Sequence, residues 1–193
     1  MPLEYWQLAL LAALGIIAGV LNVIAGGGSL LTLPTMIFMG LPEAVANGTN
    51  RVAILAQNVS AVSGFRRKGF SDFKLSLTLA LASVPGALLG AHAGALIRGP
   101  LFNLILSVVM IGVIILMARK KKPAPAATEI VSNQPLSRSR FLWGHLGMVG
   151  VGFYGGFIQA GVGFLLMAVL HNVMKLDLVR VNMHKVFVVG AFT

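Results

Sequence analysis

Two short stretches carry nearly all the residues that could do chemistry. Residues 25–34 read AGGGSLLTLP and residues 46–51 read ANGTNR, each in or beside a long apolar run. The chemistry they offer is anion binding. Gly26, Gly27 and Gly28 break a helix, and glycine lets a ligand approach the backbone closely. A helix that restarts after them turns its N-terminal N–H groups toward the break, with about half a positive charge from its dipole. Ser29 and Thr32 add hydroxyls. Asn47, Thr49, Asn50 and Arg51 add amides, a hydroxyl and a guanidinium at the start of the next apolar block. Polar groups inside a membrane are expensive and tend to face a cavity. Two plainer readings stand beside this one. The glycines would also serve close helix packing alone. Glu43, Asn47 and Arg51 would also serve as an interfacial helix cap, and Arg51 has Glu43 as an alternative partner.

The pattern recurs. A shift of 135 residues lays AGGGSLL (25–31) on AGVGFLL (160–166), with five of seven positions identical, and lays Gly15 on Gly150 and Asn47 on Asn182. One residue of slippage sets TNRV (49–52) against MHKV (183–186), pairing Arg51 with Lys185. The second copy thus offers Gln159, Gly161, Gly163 and Lys185 as a facing half-site.

Other chemistries find no support. No Lys-Ser/Thr follows the glycines and no strand precedes them, so this is not a nucleotide loop. No Ser-His-Asp arrangement and no paired carboxylates occur. His92 and His145 stand alone, and His171 and His184 share no metal-ligand spacing with a carboxylate. The chain has no cysteine. The expectation is a protein that is not an enzyme and has no cofactor.

The elements that must position these residues are membrane helices. Charged residues make up 10% of the chain and hydrophobic ones 57%, against roughly 25% charged in soluble domains. Apolar blocks fall at 6–24, 29–41, 44–65, 73–97, 101–118, 141–159, 162–174 and 178–193. By length, 44–65, 73–97 and 101–118 qualify as spans of about 20 residues. Blocks 29–41 and 162–174 are short and read as half-helices or re-entrant arms. Pro85-Gly86 predicts a kink. Gly86, Gly90 and Gly94 give one helix face close access to a neighbour. Asn22 is placed to bond across helices, and Gln57 and Asn58 continue a polar face. Glu4 and the lack of a basic leader argue against a cleavable signal peptide, while Tyr5 and Trp6 suit a membrane interface.

The formal charge of +10 does not indicate nucleic acid. Ten of the fifteen basic residues lie in two stretches: Arg66, Arg67, Lys68 and Lys74, then Arg119 to Lys122, Arg138 and Arg140. Such clusters mark cytoplasmic loops, and no aromatic residues interleave for base stacking. The segment 119–140, basic and proline-rich, reads as a cytoplasmic linker. It divides the chain into a first transmembrane repeat, 1–118, and a second, 141–193. If 6–41 forms a hairpin returning to its starting side, each repeat crosses three times and the repeats are inverted. If 6–41 crosses once, they are parallel. The first copy runs about 60 residues past the position matching Thr193, so a complete second copy implies a chain of about 250 residues.

Residues 15–69, with Gly26 to Gly28, Pro34 and the Thr49-Asn50-Arg51 turn, resemble the first repeat of the sulfite exporter TauE/SafE (TSUP) family. Residues from 141 onward are similar but less close: Val162 replaces one glycine, and His184-Lys185 stands for the basic turn. The resemblance implies a multi-pass bacterial inner-membrane permease for small anions such as sulfite, sulfonates or sulfur-containing organic anions. The fold class expected is all-α and polytopic, with two tandem, inverted repeats of broken or re-entrant helices. The substrate site expected combines Gly26, Gly27, Gly28, Ser29, Asn47, Thr49, Asn50 and Arg51 with Gly161, Gly163 and Lys185. Expected partners are a small anion, a coupling proton or sodium ion and the lipid bilayer, with a homo-oligomer compatible. The rival expectation is a non-transporting partner or assembly subunit that docks other helices. Gly27→Leu separates the two, since it should abolish anion binding while leaving insertion intact.

Overall fold

The computed structural model describes residues 5–70, 72–97, 99–118 and 136–193. Within them the chain is helical, with no strand. Helices α1 (Tyr5–Ile24), α2 (Ser29–Phe38), α3 (Glu43–Arg67), α4 (Phe73–Leu96) and α5 (Pro100–Ala118) precede the expected linker, of which residues 119–135 lie outside the described residues. Helices α6 (Arg138–Phe157), α7 (Val162–Ala168) and α8 (Leu178–Phe192) follow, with a π-helical turn, Val169–Val173, continuing α7. Both short blocks are separate half-length elements entered after a glycine break, as their length requires.

Two described helices, Tyr5–Ile24 and Phe73–Leu96, are long and apolar enough to cross a membrane by length and composition. Block 44–65, expected to qualify, does not. Its helix, α3, has 25 residues but carries Asn47, Asn50, Arg51, Gln57 and Asn58 among its apolar ones. Two of these, Asn50 and Asn58, are buried, so α3 is amphipathic with its polar face turned inward. The outward surface is apolar. Ile16, Ile17, Val20 and Ile24 of α1, Leu81, Leu88 and Leu89 of α4, and Leu101, Leu104 and Val108 of α5 are all exposed. A belt of that size suits lipid rather than water.

The interior has two apolar cores. One joins Ile54, Leu79, Met148, Leu166, Leu170, Val181 and Val188, from α3, α4, α6, α7, the π turn and α8. The other joins Leu33, Met36, Ala46, Phe102 and Leu106 with Ile158 and Ala160. The second core seats the break after α6 among helices from the first half of the chain.

Helix α4 packs on α6 along the small face read from its four-residue glycine repeat. A Cβ at Gly86 would stand 2.0 Å from the Val149 carbonyl oxygen, and one at Gly90 would stand 1.9 Å from that of Phe153. The contact is reciprocal, because a Cβ at Gly156 would stand 2.0 Å from the Ala87 oxygen. The backbones touch, as small residues permit. Pro85 lies inside α4, which is continuous from Phe73 to Leu96.

Aspartates open two helices. Asp72 accepts from Leu75 N at 3.2 Å at the start of α4. Asp177 accepts from Val179 N and Arg180 N, both at 3.0 Å, at the start of α8. An N-cap of this kind contributes about 1 kcal/mol. Asp177→Ala should therefore lower the thermal unfolding midpoint in detergent by a few degrees. Asp177→Asn, which keeps the acceptor, should stay close to the parent.

Candidate functional site

The site is built where two broken helices meet. Helix α1 ends at Ile24, the amides of Ala25 and Gly26 both donate to Leu21 O, at 2.8 and 2.9 Å, and Gly26 turns the chain with φ of 78°. Helix α6 ends at Phe157, and Gly161 makes the matching turn with φ of 72°. Left-handed backbone of this sort favours glycine. The two breaks lie against each other. A Cβ at Gly26 would fall 2.5 Å from the Gly163 Cα, and one at Gly163 would fall 2.3 Å from the Gly26 Cα. Ser29 Oγ accepts from Gly161 N across the contact at 3.0 Å.

The polar residues of α1, α2 and α3 close around the first break. Asn22 Oδ1 accepts from Ser29 N at 3.2 Å, capping α2, while its Nδ2 donates to Gln57 Oε1 at 2.8 Å. Thr32 Oγ1 donates to Asn50 Oδ1 at 2.6 Å. Asn50 is 2% exposed, and its Nδ2 has no partner among the described residues. The amides of Gly27 and Gly28 also have none there. Free donors therefore collect at the start of α2. Gln159, fully buried with φ of 65°, donates to Thr193 Oγ1 at 2.7 Å and leaves Oε1 unpartnered.

The two cations do something the sequence did not announce. Arg51 Nη2 donates to Gly155 O at 3.2 Å and to Gly156 O, carbonyls in the last turn of α6. Lys185 Nζ donates to Val23 O, at the end of α1, at 2.7 Å and to Asn182 Oδ1 at 2.6 Å. Helix C-termini leave carbonyls unpaired and carry about half a negative charge. Each half of the chain thus places a basic side chain on the broken helix of the other half. Glu43, the alternative partner of Arg51, instead accepts from Asn103 Nδ2 at 2.9 Å. Thr49 is exposed on α3 and is not brought to the others.

Arg51 uses one nitrogen for these bonds and borders an open cleft of 690 Å³, lined also by Glu43, Asn47, Gly48, Gly94, Phe102 and Gly156. A second cleft of 430 Å³, near Arg66 and Asp72, is bordered by Ser76, Met183 and Phe187. Ser76 Oγ lies 2.8 Å from His184 Nδ1, and both residues are buried. Sequence reasoning missed Ser76. Its signal was a small hydroxyl within an apolar block, which many membrane helices tolerate. Tyr154, whose hydroxyl donates to Ala160 O and holds the second break closed, was also missed.

A family model, that of the sulfite exporter TauE/SafE family, matches residues 11–193, from within α1 to the end of α8 and across both breaks. The chain belongs to the TauE/SafE family. Among its relatives is the probable membrane transporter protein ORF9 of a Sinorhizobium species, 28% identical over 195 residues, covering 98% of this chain and 72% of that one. A probable membrane transporter protein of Xylella fastidiosa strain 9a5c is 27% identical over 180 residues, 92% of this chain and 67% of that one. The probable membrane transporter protein YfcA of Escherichia coli K12 is 37% identical over 92 residues, 46% and 34% of the two chains. No solved structure matches. As a TauE/SafE member the chain is a membrane protein of a transporter family.

Proposed function

We propose that the chain is a permease for small anions, of the sulfite, sulfonate or sulfur-containing organic type. The observation that carries this reading is the meeting of two broken helices, with unpartnered donors at the start of α2, in a fold that also holds an open cleft bordered by Arg51. Irregular backbone is tolerated at membrane depth only where protein or water surrounds it. A break lined by free N–H groups suits an anion that must bind and leave.

In this reading the anion enters the 690 Å³ cleft, drawn by the Arg51 guanidinium, whose Nε and Nη1 remain available. It is then held by the Gly27 and Gly28 amides and Asn50 Nδ2. Ser29, Gly26, Gly161 and Gly163 keep the two breaks together. The two halves are inverted repeats, the Arg66–Lys74 loop and the linker face the cytoplasm, and transport proceeds by one half rocking on the other. The exchange of cations between halves supports the repeat. Arg51 of the first half and Lys185 of the second make equivalent contacts, each on the C-terminal end of the opposite broken helix.

The test is uptake of radiolabelled sulfite into proteoliposomes, with methanesulfonate as competitor. Arg51→Gln removes the charge that attracts the anion and should lower uptake at least tenfold, about 1.4 kcal/mol or more of lost anion stabilisation. It should also flatten the dependence of uptake on ionic strength. Arg51→Lys should retain part of both. Uptake by Arg51→Gln equal to the parent would rule out this route.

A further inference from the structure

Lys185 is buried, 2% exposed, and the permease reading gives its ammonium no anion to hold. Its three contacts are Val23 O at 2.7 Å, Asn182 Oδ1 at 2.6 Å and Met167 Sδ at 3.9 Å. No carboxylate pairs with it among the described residues. The helix end and the amide oxygen are neutral oxygen donors of the kind that coordinate a coupling ion in broken-helix transporters. Here the side-chain ammonium already stands among them.

We propose that Lys185 is the proton-binding site that couples transport, its ammonium taking the place a sodium ion would otherwise fill. The proposal rests on the permease reading. Hydrogen-bond counting supports it. An ammonium has three N–H donors for three acceptors. The neutral amine keeps two, which still serve Val23 O and Asn182 Oδ1 and surrender only the weak sulfur contact. Both protonation states therefore fit one geometry, and no buried acceptor is stranded when the proton leaves. Loss of the charge also releases the electrostatic hold of α8 on the end of α1, and so of one half on the other.

Among the described residues, the other charged groups around Lys185 are placed elsewhere. On α8 itself, His184 turns to Ser76 of α4, and Arg180 pairs with Asp177 at 3.6 Å. From α3, Arg51 is engaged with the α6 carbonyls. From α6, Tyr154 donates to Ala160 O. His171, on the π turn, is exposed and bonds to Leu176 O. Lys74 and His92 of α4 are exposed near its two ends. Helix α7 has no titratable residue, and α1 has only Tyr5, at its far end.

The experiment uses the full chain in liposomes loaded with a pH-sensitive dye, in sodium-free buffer, with sulfite as the driving anion. Sulfite movement accompanied by proton movement without sodium is expected. Lys185→Arg keeps the charge but cannot release its proton, and proton movement should fall to that of protein-free liposomes. Proton movement that persists in Lys185→Arg, or an absolute requirement for sodium, would overturn the proposal. A second measurement is independent of transport and of the variant's folding. The ε-carbon resonance of Lys185 in nanodiscs, assigned through its contact with the Met167 methyl, should titrate within the pH range where the protein stays folded. A resonance fixed at the ammonium position throughout overturns the proposal. If the parent protein moves no sulfite, the permease reading falls for that anion, and the titration still decides whether Lys185 binds and releases a proton.

Discussion

Gly26→Val is expected to abolish sulfite uptake while the protein still inserts and elutes as a single species in detergent. The substituted residue meets two obstacles. The backbone at 26 is left-handed, with φ of 78°, which costs a β-branched residue about 1–2 kcal/mol. Its Cβ would also stand 2.5 Å from the Cα and 2.6 Å from the carbonyl carbon of Gly163. Backbone atoms cannot rotate away as a side chain can, so the two breaks must part. The Ser29–Gly161 bond goes with them, and the donors at the start of α2 lose their alignment. Gly163→Ala should act the same way from the opposite side, since its Cβ falls 2.3 Å from the Gly26 Cα. Gly27→Leu is a milder change than the sequence implied. A Cβ there meets the ring of Phe164 at 2.3 Å, and a ring at the end of a side chain can swing aside. Uptake should therefore rank parent, Gly27→Leu, Gly26→Val. Normal uptake by Gly26→Val would show that the contact between the breaks is not needed for transport.

Gly152→Leu should destabilise the protein far more than Gly150→Leu, although the two positions are two residues apart on α6. A Cβ at Gly152 would lie 2.1 Å from Ser83 O of α4, whereas nothing lies within 4 Å of one at Gly150. Overpacking costs about 1–3 kcal/mol and more where backbone must move, and here the obstacle is a main-chain carbonyl. Gly150→Leu meets open space and gains up to about 1 kcal/mol from helix propensity. Thermal unfolding followed by the fluorescence of Trp143, on the same helix, reads both. A large drop in midpoint for Gly152→Leu with none for Gly150→Leu is the expected pair of results. Equal midpoints would mean that α4 and α6 do not pack as closely as the glycine faces require.

Much of the fold was legible because membrane helices announce themselves by unbroken apolar length. Block 29–41, too short to span, folds as the half-helix Ser29–Phe38. Block 162–174 folds as α7 with its π turn. The glycine face of α4 was legible because a period of four maps onto one side of a helix. Block 44–65 misled because length alone suggested a span, while its asparagines and Arg51 belong to an inward polar face. The candidate site was half legible. The types of Gly26, Gly28 and Ser29 and the recurrence at Gly161 and Gly163 pointed to the two breaks, which the fold brings together. What no spacing reveals is that Arg51 meets carbonyls 104 and 105 positions away, and that Lys185 meets one 162 positions away. A basic residue in a polar turn reads as a group waiting for an anion. In space its first partners are helix ends.

That 162-residue separation bears on how the protein is made. At about 5–20 residues per second, Lys185 leaves the ribosome roughly 8–30 s after Val23. For that interval the end of α1 sits without its cation, and Arg51 waits for Gly155 and Gly156 over a somewhat shorter one. The first half must therefore be held at the insertion machinery, or its polar ends kept wet, until the second half arrives. Assembly of the site therefore waits for the second half. Slowing translation across the linker should lengthen the period in which the nascent chain is open to proteases at residues 24–28.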